Sequence, residues 1–314
     1  MIKKGVIAAT GEATASRRHR ADRGEAITAW LMSAPALILL VLFMVLPFSL
    51  AVGFAFTNQR LTPGPLPTQF VGLRNFTRIL EDPVFWRSIQ NNFVFALVVV
   101  PVQSALALLL ALLINVRRRF VVGFRAIYFL PTVTTMVVVA VVWTFIFGSN
   151  GLVNAVLRAV SFGTLGPYRW LDDVRLALPA VMIVSIWQGV GFQMVIYLAG
   201  LQGIPAERYE AAQIDGASRW QQFWYITMPG LRNTHIFVLV TTTILAFKLF
   251  TQVEVMTQGG PLDATQTIVR YMFQSGFREL KVGYASAMSV VFVAIVLVIS
   301  LAQRWLLREE REVA

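Results

Sequence analysis

The stretch "YEAAQIDGASRW", from Tyr209 to Trp220, places two carboxylates, Glu210 and Asp215, around two small residues, Ala211 and Ala212, and ahead of Gly216. Carboxylates of this kind accept charge-assisted hydrogen bonds from basic or backbone donors, and alanines allow another surface to come close. That is docking chemistry. Bond-making chemistry finds little support, because the chain has no Cys and its only histidines, His19 and His235, lie far apart. Disulfides and thiolate metal sites are excluded, and no metal centre is expected. No Gly-x-x-x-x-Gly-Lys-Ser/Thr phosphate loop occurs, so the chain is expected to bind no cofactor, and no ATP through such a loop. A second group of candidates lies in apolar surroundings. Lys248 is an ionisable group inside a long hydrophobic run, costly in lipid and normally turned to the bundle interior or to water. On an unbroken helix Thr241, Lys248 and Gln252 share one face, at i, i+7 and i+11. Trp187, Gln188, Gln193 and Tyr197 form a further candidate set, although glutamines also join helices within membranes and aromatic rings also pack.

The elements that hold these residues are membrane helices. With 57% hydrophobic and 14% charged residues, the composition is far more apolar than that of an ordinary soluble domain. Stretches free of Asp, Glu, Lys and Arg predict spans at about 29–55, 93–115, 126–147, 177–201, 235–256 and 284–306, the fifth interrupted by Lys248. A backbone crossing lipid must satisfy its own hydrogen bonds, so the fold class is all-α, a polytopic membrane protein with six transmembrane helices. Barrel-type alternation is absent. Basic residues set the orientation: 16 Lys and Arg fall on the side of both termini and 10 on the other, most clearly in the turn from Arg117 to Arg125. Both termini are thereby expected in the cytoplasm, together with Tyr209–Trp220. The net charge of +11 follows from this distribution, and without a binding motif it does not imply nucleic acid. Residues 1–24 are polar and aperiodic and read as a mobile cytoplasmic tail, and 25–314 as the membrane domain. Trp30 and Trp305 read as interface anchors.

Punctuation gives the loop after the fourth span a shape. Pro205 suits the first turn of a helix, Ala206–Ile214 are good helix formers, and Gly216 can take the left-handed conformation that ends one helix. Ser218 or Asp215 can cap a second helix, in which Trp220, Phe223, Trp224 and Thr227 form an aromatic stripe before Pro229 stops it. By periodicity alone this hairpin could equally rest on lipid. The prolines and glycine of "LTPGPLP", Leu61 to Pro67, predict a loop.

The segment "EAAQIDGASRWQQFWYITMPGL", Glu210 to Leu231, resembles the cytoplasmic EAA loop of binding-protein-dependent ABC importer permeases. "FVGLRNF", "FLPTVTTMVVVAVVW", "GLQGIPAERYEAAQIDGA" and "VMTQGGPLDATQT" resemble, in the expected order, the carbohydrate branch of maltose and glycerol-3-phosphate type. The resemblance implies that the loop, about 203–231, contains a coupling helix docking in a cleft of the ATP-hydrolysing subunit. Glu210, Ala211, Ala212, Asp215 and Gly216 would carry that role, with Pro205 and Pro229 shaping the loop. It further implies two ATP-binding subunits that use ATP and Mg, a second permease forming a heterodimer, an extracytoplasmic substrate-binding protein, and a bacterial or archaeal inner membrane. Lys248, Gln252, Trp187 and Gln193 are the substrate-pathway candidates under this reading. An ion-coupled secondary transporter is the alternative, though such a protein is expected to carry coupling-ion residues or paired broken helices near the midplane. A membrane enzyme is disfavoured by the lack of a nucleophile–base set or paired intramembrane carboxylates.

Overall fold

The computed structural model describes residues 28–62, 67–115 and 121–307. The expected tail, the middle of the Leu61–Pro67 loop and Arg117, Arg118 and Arg119 lie outside the described residues. Two compact units divide the chain, residues 1–54 and 55–314. The first is represented by all but the last residue of helix α1 (Thr28–Ala55), long and apolar enough to cross a membrane, with a widened turn at Val41–Val45 just before Pro47.

In the second unit the chain order is α2 (Arg74–Glu81), α3 (Pro83–Ile114), α4 (Val121–Val133), α5 (Met136–Ile146), α6 (Leu152–Val160) and α7 (Ala177–Gln202). Then follow α8 (Ala206–Ile214), α9 (Arg219–Gln222), α10 (Arg232–Phe247), α11 (Thr251–Met256), α12 (Ile268–Phe273) and α13 (Val282–Leu307). Among the described residues the backbone forms no strand, only an isolated antiparallel bridge between Thr57 and Phe70. Among the described residues, five helical segments are long and apolar enough to span: α1, α3, α7, α10 with α11, and α13.

The third expected span differs from a straight helix. Helices α4 and α5 meet at a bend of 97°. The turn lies shortly after Pro131, where Thr135 is extended (φ −62°, ψ 137°), and α7 bonds a side chain and a freed carbonyl of the bend. Thr132 Oγ1 donates to the Gln188 carbonyl at 3.0 Å, and Gln188 Nε2 donates to the Thr134 carbonyl at 3.1 Å. Such re-satisfaction is what lets a helix break inside a membrane protein. Close approach is possible because α7 offers Gly191, where a Cβ would lie 2.0 Å from the Tyr128 carbonyl oxygen.

The second span also begins ten residues earlier than its apolar run, at Pro83. Asp82 caps it and proline occupies the first turn, where a missing N–H costs nothing. Its early polar residues Ser88, Asn91 and Asn92 are buried against protein, so they carry no lipid penalty. Three apolar clusters run along the second unit. The central one joins Phe95 and Val99 of α3, Val139 of α5, Val181 and Val184 of α7 and Phe247 of α10. One towards the α8 loop centres on Met194, Tyr197, Leu201 and Leu231, and one at the other end on Ile79, Phe85, Ile268 and Met288. Fully buried Ala107, Ala111, Ala140 and Ala180 permit the tight helix contacts that replace hydrophobic driving force inside a bilayer.

Candidate docking loop and pathway residues

Helix α8 projects beyond the end of α7 and none of its residues is buried. Pro205 stands at its N-cap (φ −57°, ψ 133°), one position before the first turn. Its far end is closed by a Schellman turn: Ala217 N–H bonds the Ala212 carbonyl at 2.8 Å and Gly216 N–H bonds the Gln213 carbonyl at 3.1 Å. Gly216 takes φ +78°, as the sequence predicts. Next comes a capping box, in which the Ser218 hydroxyl accepts from Gln221 N–H at 3.3 Å and Gln221 Oε1 accepts from Ser218 N–H at 2.8 Å.

The second helix departs from a regular one. After α9 a widened turn occupies Phe223–Thr227, and helix resumes over Met228–Gly230. Pro229 therefore lies within that last turn, not beyond it, and the chain bends at Leu231. The widening separates the expected stripe. Trp220, Phe223 and Trp224 make a ring cluster with centroids 5.1–5.8 Å apart, while Thr227 turns inward and is buried. There its hydroxyl bonds that of Tyr209 at 2.9 Å, tying α8 to the returning chain. Ile204 and Leu231 anchor both feet of the loop in the apolar core.

Glu210, Ala211, Asp215 and Gly216 are exposed, and Ala212 is half-buried. Among the described residues neither Glu210 nor Asp215 has an ion-pair partner. Beside them Ile214 is 87% and Trp220 69% exposed, an apolar component that the charged residues alone did not suggest. The loop is a rigid projection with open carboxylates and apolar side chains.

The pathway candidates separate in space. Trp187 is partly exposed and its ring meets Trp143 edge-on at 5.5 Å. Gln193 is buried, donating to Thr242 across the α7–α10 contact. Tyr197 is also buried, its hydroxyl 3.0 Å from His235 Nδ1. Gln252 donates to Ser185 Oγ at 3.2 Å, joining α11 to α7. The stripe expected of Thr241, Lys248 and Gln252 on one unbroken helix does not form. Helix α10 ends at Phe247, Lys248 takes φ −80° and ψ 11°, and Phe250 takes φ −140° and ψ −61°. Asn92, from α3, supplies the reason. Its amide donates to the carbonyls of Ala246 and Phe247 at 3.4 and 3.2 Å, and its oxygen accepts from Ile268 N–H at 2.9 Å. Backbone groups freed by the break thus find partners away from their own helix, and Lys248 is left exposed.

Sequence reasoning did not find the charged network at the opposite end from α8. Glu254 accepts from Arg270 Nε at 3.0 Å and from Arg278. Arg270 donates further to Gln266 Oε1 at 2.6 Å and Gln274 Oε1 at 3.1 Å. Burial draws the Arg270 guanidinium below its usual pKa, while Glu254 acts the other way. Nearby, Asp82 joins three helices: one oxygen caps α3 and the other accepts from the hydroxyls of Tyr271 and Tyr284, both at 2.5 Å. Burial alone would raise the Asp82 pKa, but these two phenols and the N–H groups of Phe85 and Val84 bring it below the ordinary carboxylate value. A lowered folded pKa contributes stability that is complete above the unfolded value of about 4 and is lost as pH falls through the folded value. Asp82→Asn should therefore lower stability at neutral pH by about 2 kcal/mol and flatten the loss seen on acidification, read by thermal unfolding across pH.

The second unit is a bundle of apolar helices with one bent pair and a projecting loop. Residues 85–312 match the family described as binding-protein-dependent transport system inner membrane component, and the chain belongs to that family as an ABC importer permease. It is 35% identical over 273 residues to a probable ABC transporter permease of Pyrococcus horikoshii, covering 86% of this chain and 92% of that protein. With the lactose transport system permease of Rhizobium radiobacter it shares 34% identity over 290 residues, 91% of this chain and 95% of that one. In structure it resembles a bacterial alginate ABC transporter, crystallised in complex with an alginate pentasaccharide-bound periplasmic protein. The TM-score is 0.78 at 25% identity, covering 91% of this chain and 96% of the other. Membership of this family displaces the ion-coupled alternative, and makes the chain a multi-pass membrane subunit and not an enzyme.

Proposed function

We propose that this permease imports a mono- or oligosaccharide, or a related polyol or sugar derivative, delivered by an extracytoplasmic binding protein and moved by alternating access. Sugar-transporting relatives support the cargo class: the similar permease from Rhizobium radiobacter is named for lactose, and the similar crystal structure for alginate. A second permease completes the membrane pore as a heterodimer. Two separate ATP-binding subunits use ATP and Mg, and this chain holds no ATP site of its own. Both termini lie in the cytoplasm, with the α8 loop on the same side. One observation carries the coupling role. Glu210 and Asp215 stand exposed, without ion-pair partners among the described residues, on a helix closed by a Schellman turn and tied to the returning chain by the Tyr209–Thr227 bond. A rigid projection of this kind can transmit rigid-body motion from a docked ATPase.

Lys248 and Trp187, the two exposed pathway candidates, are assigned to the cargo path, with Gln252 and Gln193 holding the helices that present them. Uptake reconstituted with both ATPases, the second permease and the binding protein tests the whole reading across a panel of sugars. Saccharide uptake that requires ATP supports it; uptake driven by an ion gradient alone refutes it. In the same assay Lys248→Ala should weaken half-saturation about tenfold, the size of one lost charge-assisted hydrogen bond, and Trp187→Ala should change the order of preference among sugars. Unchanged affinity and selectivity at equal abundance would remove both residues from the path.

A further inference from the structure

The position of α2 relative to the bilayer follows from its one-residue link, Asp82, to the spanning helix α3. Along the exposed side of α3, Leu97 and Phe93 give way to Gln90 and Trp86, the change of residue type that marks a membrane–water boundary. Helix α2 therefore lies at headgroup level. Its surface suits that place. Leu73, Thr77 and Leu80 share one face at i, i+4 and i+7, with Leu73 65% and Leu80 67% exposed. Phe70 and Trp86 extend the patch, and the Trp86 indole N–H donates to the Leu80 carbonyl at 3.0 Å, fixing α2 against α3.

Beside the apolar face opens a cleft of ≈ 520 Å³ lined by Asn58, Arg74, Asn75, Thr77, Arg78 and Glu81. Two guanidiniums face one carboxylate there, so the cleft favours an anion. Among the described residues neither arginine has an ion-pair partner, and Arg78 is steadied above the Tyr284 ring at 4.5 Å. The Asn58 oxygen accepts from Gln69 N–H at 2.7 Å, which leaves its amino group as a further donor.

We propose that α2 is a binding site for an anionic phospholipid: Phe70, Leu73 and Leu80 enter the acyl-chain boundary, and Arg74 and Arg78 hold the headgroup phosphate in the cleft. Charge complementarity, the unpartnered apolar face and its continuity with the exposed stripe of α3 all point to lipid as the occupant.

Because the chain has no Cys, Thr77→Cys allows a single fluorescent label on it. The labelled permease, assembled with cysteine-free partner subunits, is placed in phosphatidylcholine nanodiscs containing spin-labelled phosphatidylglycerol or spin-labelled phosphatidylcholine. Phosphatidylglycerol should quench the label at roughly thirtyfold lower content, the scale of two basic side chains at an anionic surface. That preference should vanish in Arg74→Ala/Arg78→Ala and survive in Arg74→Lys/Arg78→Lys. Quenching by neither lipid, or the same preference in the alanine variant, overturns the proposal. Displacement by inorganic phosphate assigns the cleft to a soluble anion, and a cross-link from position 77 to the second permease or the binding protein assigns the face to protein; either result also overturns it.

Discussion

Glu210→Lys and Gly216→Pro should each lower ATP-driven uptake roughly tenfold or more, the scale of a lost coupling free energy of a few kcal/mol, while membrane abundance stays normal. The two act by different routes. Glu210 is exposed and has no ion-pair partner among the described residues. Its reversal therefore leaves the fold within about 0.5 kcal/mol, as is usual for a surface substitution, and acts on the docked partner. Gly216 holds φ +78°. Proline is fixed at about −65°, so the Schellman turn cannot form in Gly216→Pro and α8 loses its direction. A Cβ at Gly216 meets nothing within 4 Å. Gly216→Ala thus carries only the backbone strain of about 1 kcal/mol and should be far milder. Measuring uptake, ATPase stimulation and co-purification of the ATPase separates loss of docking from loss of folding. Wild-type uptake by both strong variants, at matched abundance, would remove the coupling role from this loop.

The second large effect concerns stability. The Arg270 side chain is only 7% exposed, and Glu254 is its counter-charge. Glu254→Ala should destabilise the protein by about 3–5 kcal/mol, because it leaves that buried guanidinium unpaired. Arg278 touches the same carboxylate, but its side chain is 49% exposed. Arg278→Ala should accordingly cost about 1 kcal/mol or less. A double replacement, Glu254→Met with Arg270→Met, should recover much of the loss, since a buried ion pair exchanged for apolar volume is often near neutral. Thermal unfolding of the purified assembly orders the three variants. If Glu254→Ala and Arg278→Ala prove equally mild, Arg270 is reached by solvent and the buried-charge account is wrong.

Much of the α8 loop was legible because its determinants are local. Gly216 favours the left-handed turn by lacking a Cβ, and Ser218 with Gln221 closes its capping box within three residues. The widened turn at Phe223–Thr227 was not legible; it replaced the simple stripe and carried Pro229 into a helical turn. At the pathway the sequence supplied residue types but not directions. Gln193 and Trp187, both on α7, read alike in an apolar run, yet one is bonded to Thr242 within a helix contact and the other is partly open.

By itself, then, the sequence determined the all-helical membrane class, the positions of the apolar runs, and the turn and caps of the α8 loop. Each depends on composition or on neighbours within a few residues, through the need of a backbone in lipid to bond itself and through the conformational range of single residues. Tertiary structure decided where those helices break. The interruption at Lys248 is held by Asn92, 154 residues from the nearer carbonyl it serves, and the 97° bend is held by Gln188 of α7. A broken helix exposes backbone groups that must find partners, and only packing brings in the side chains that provide them.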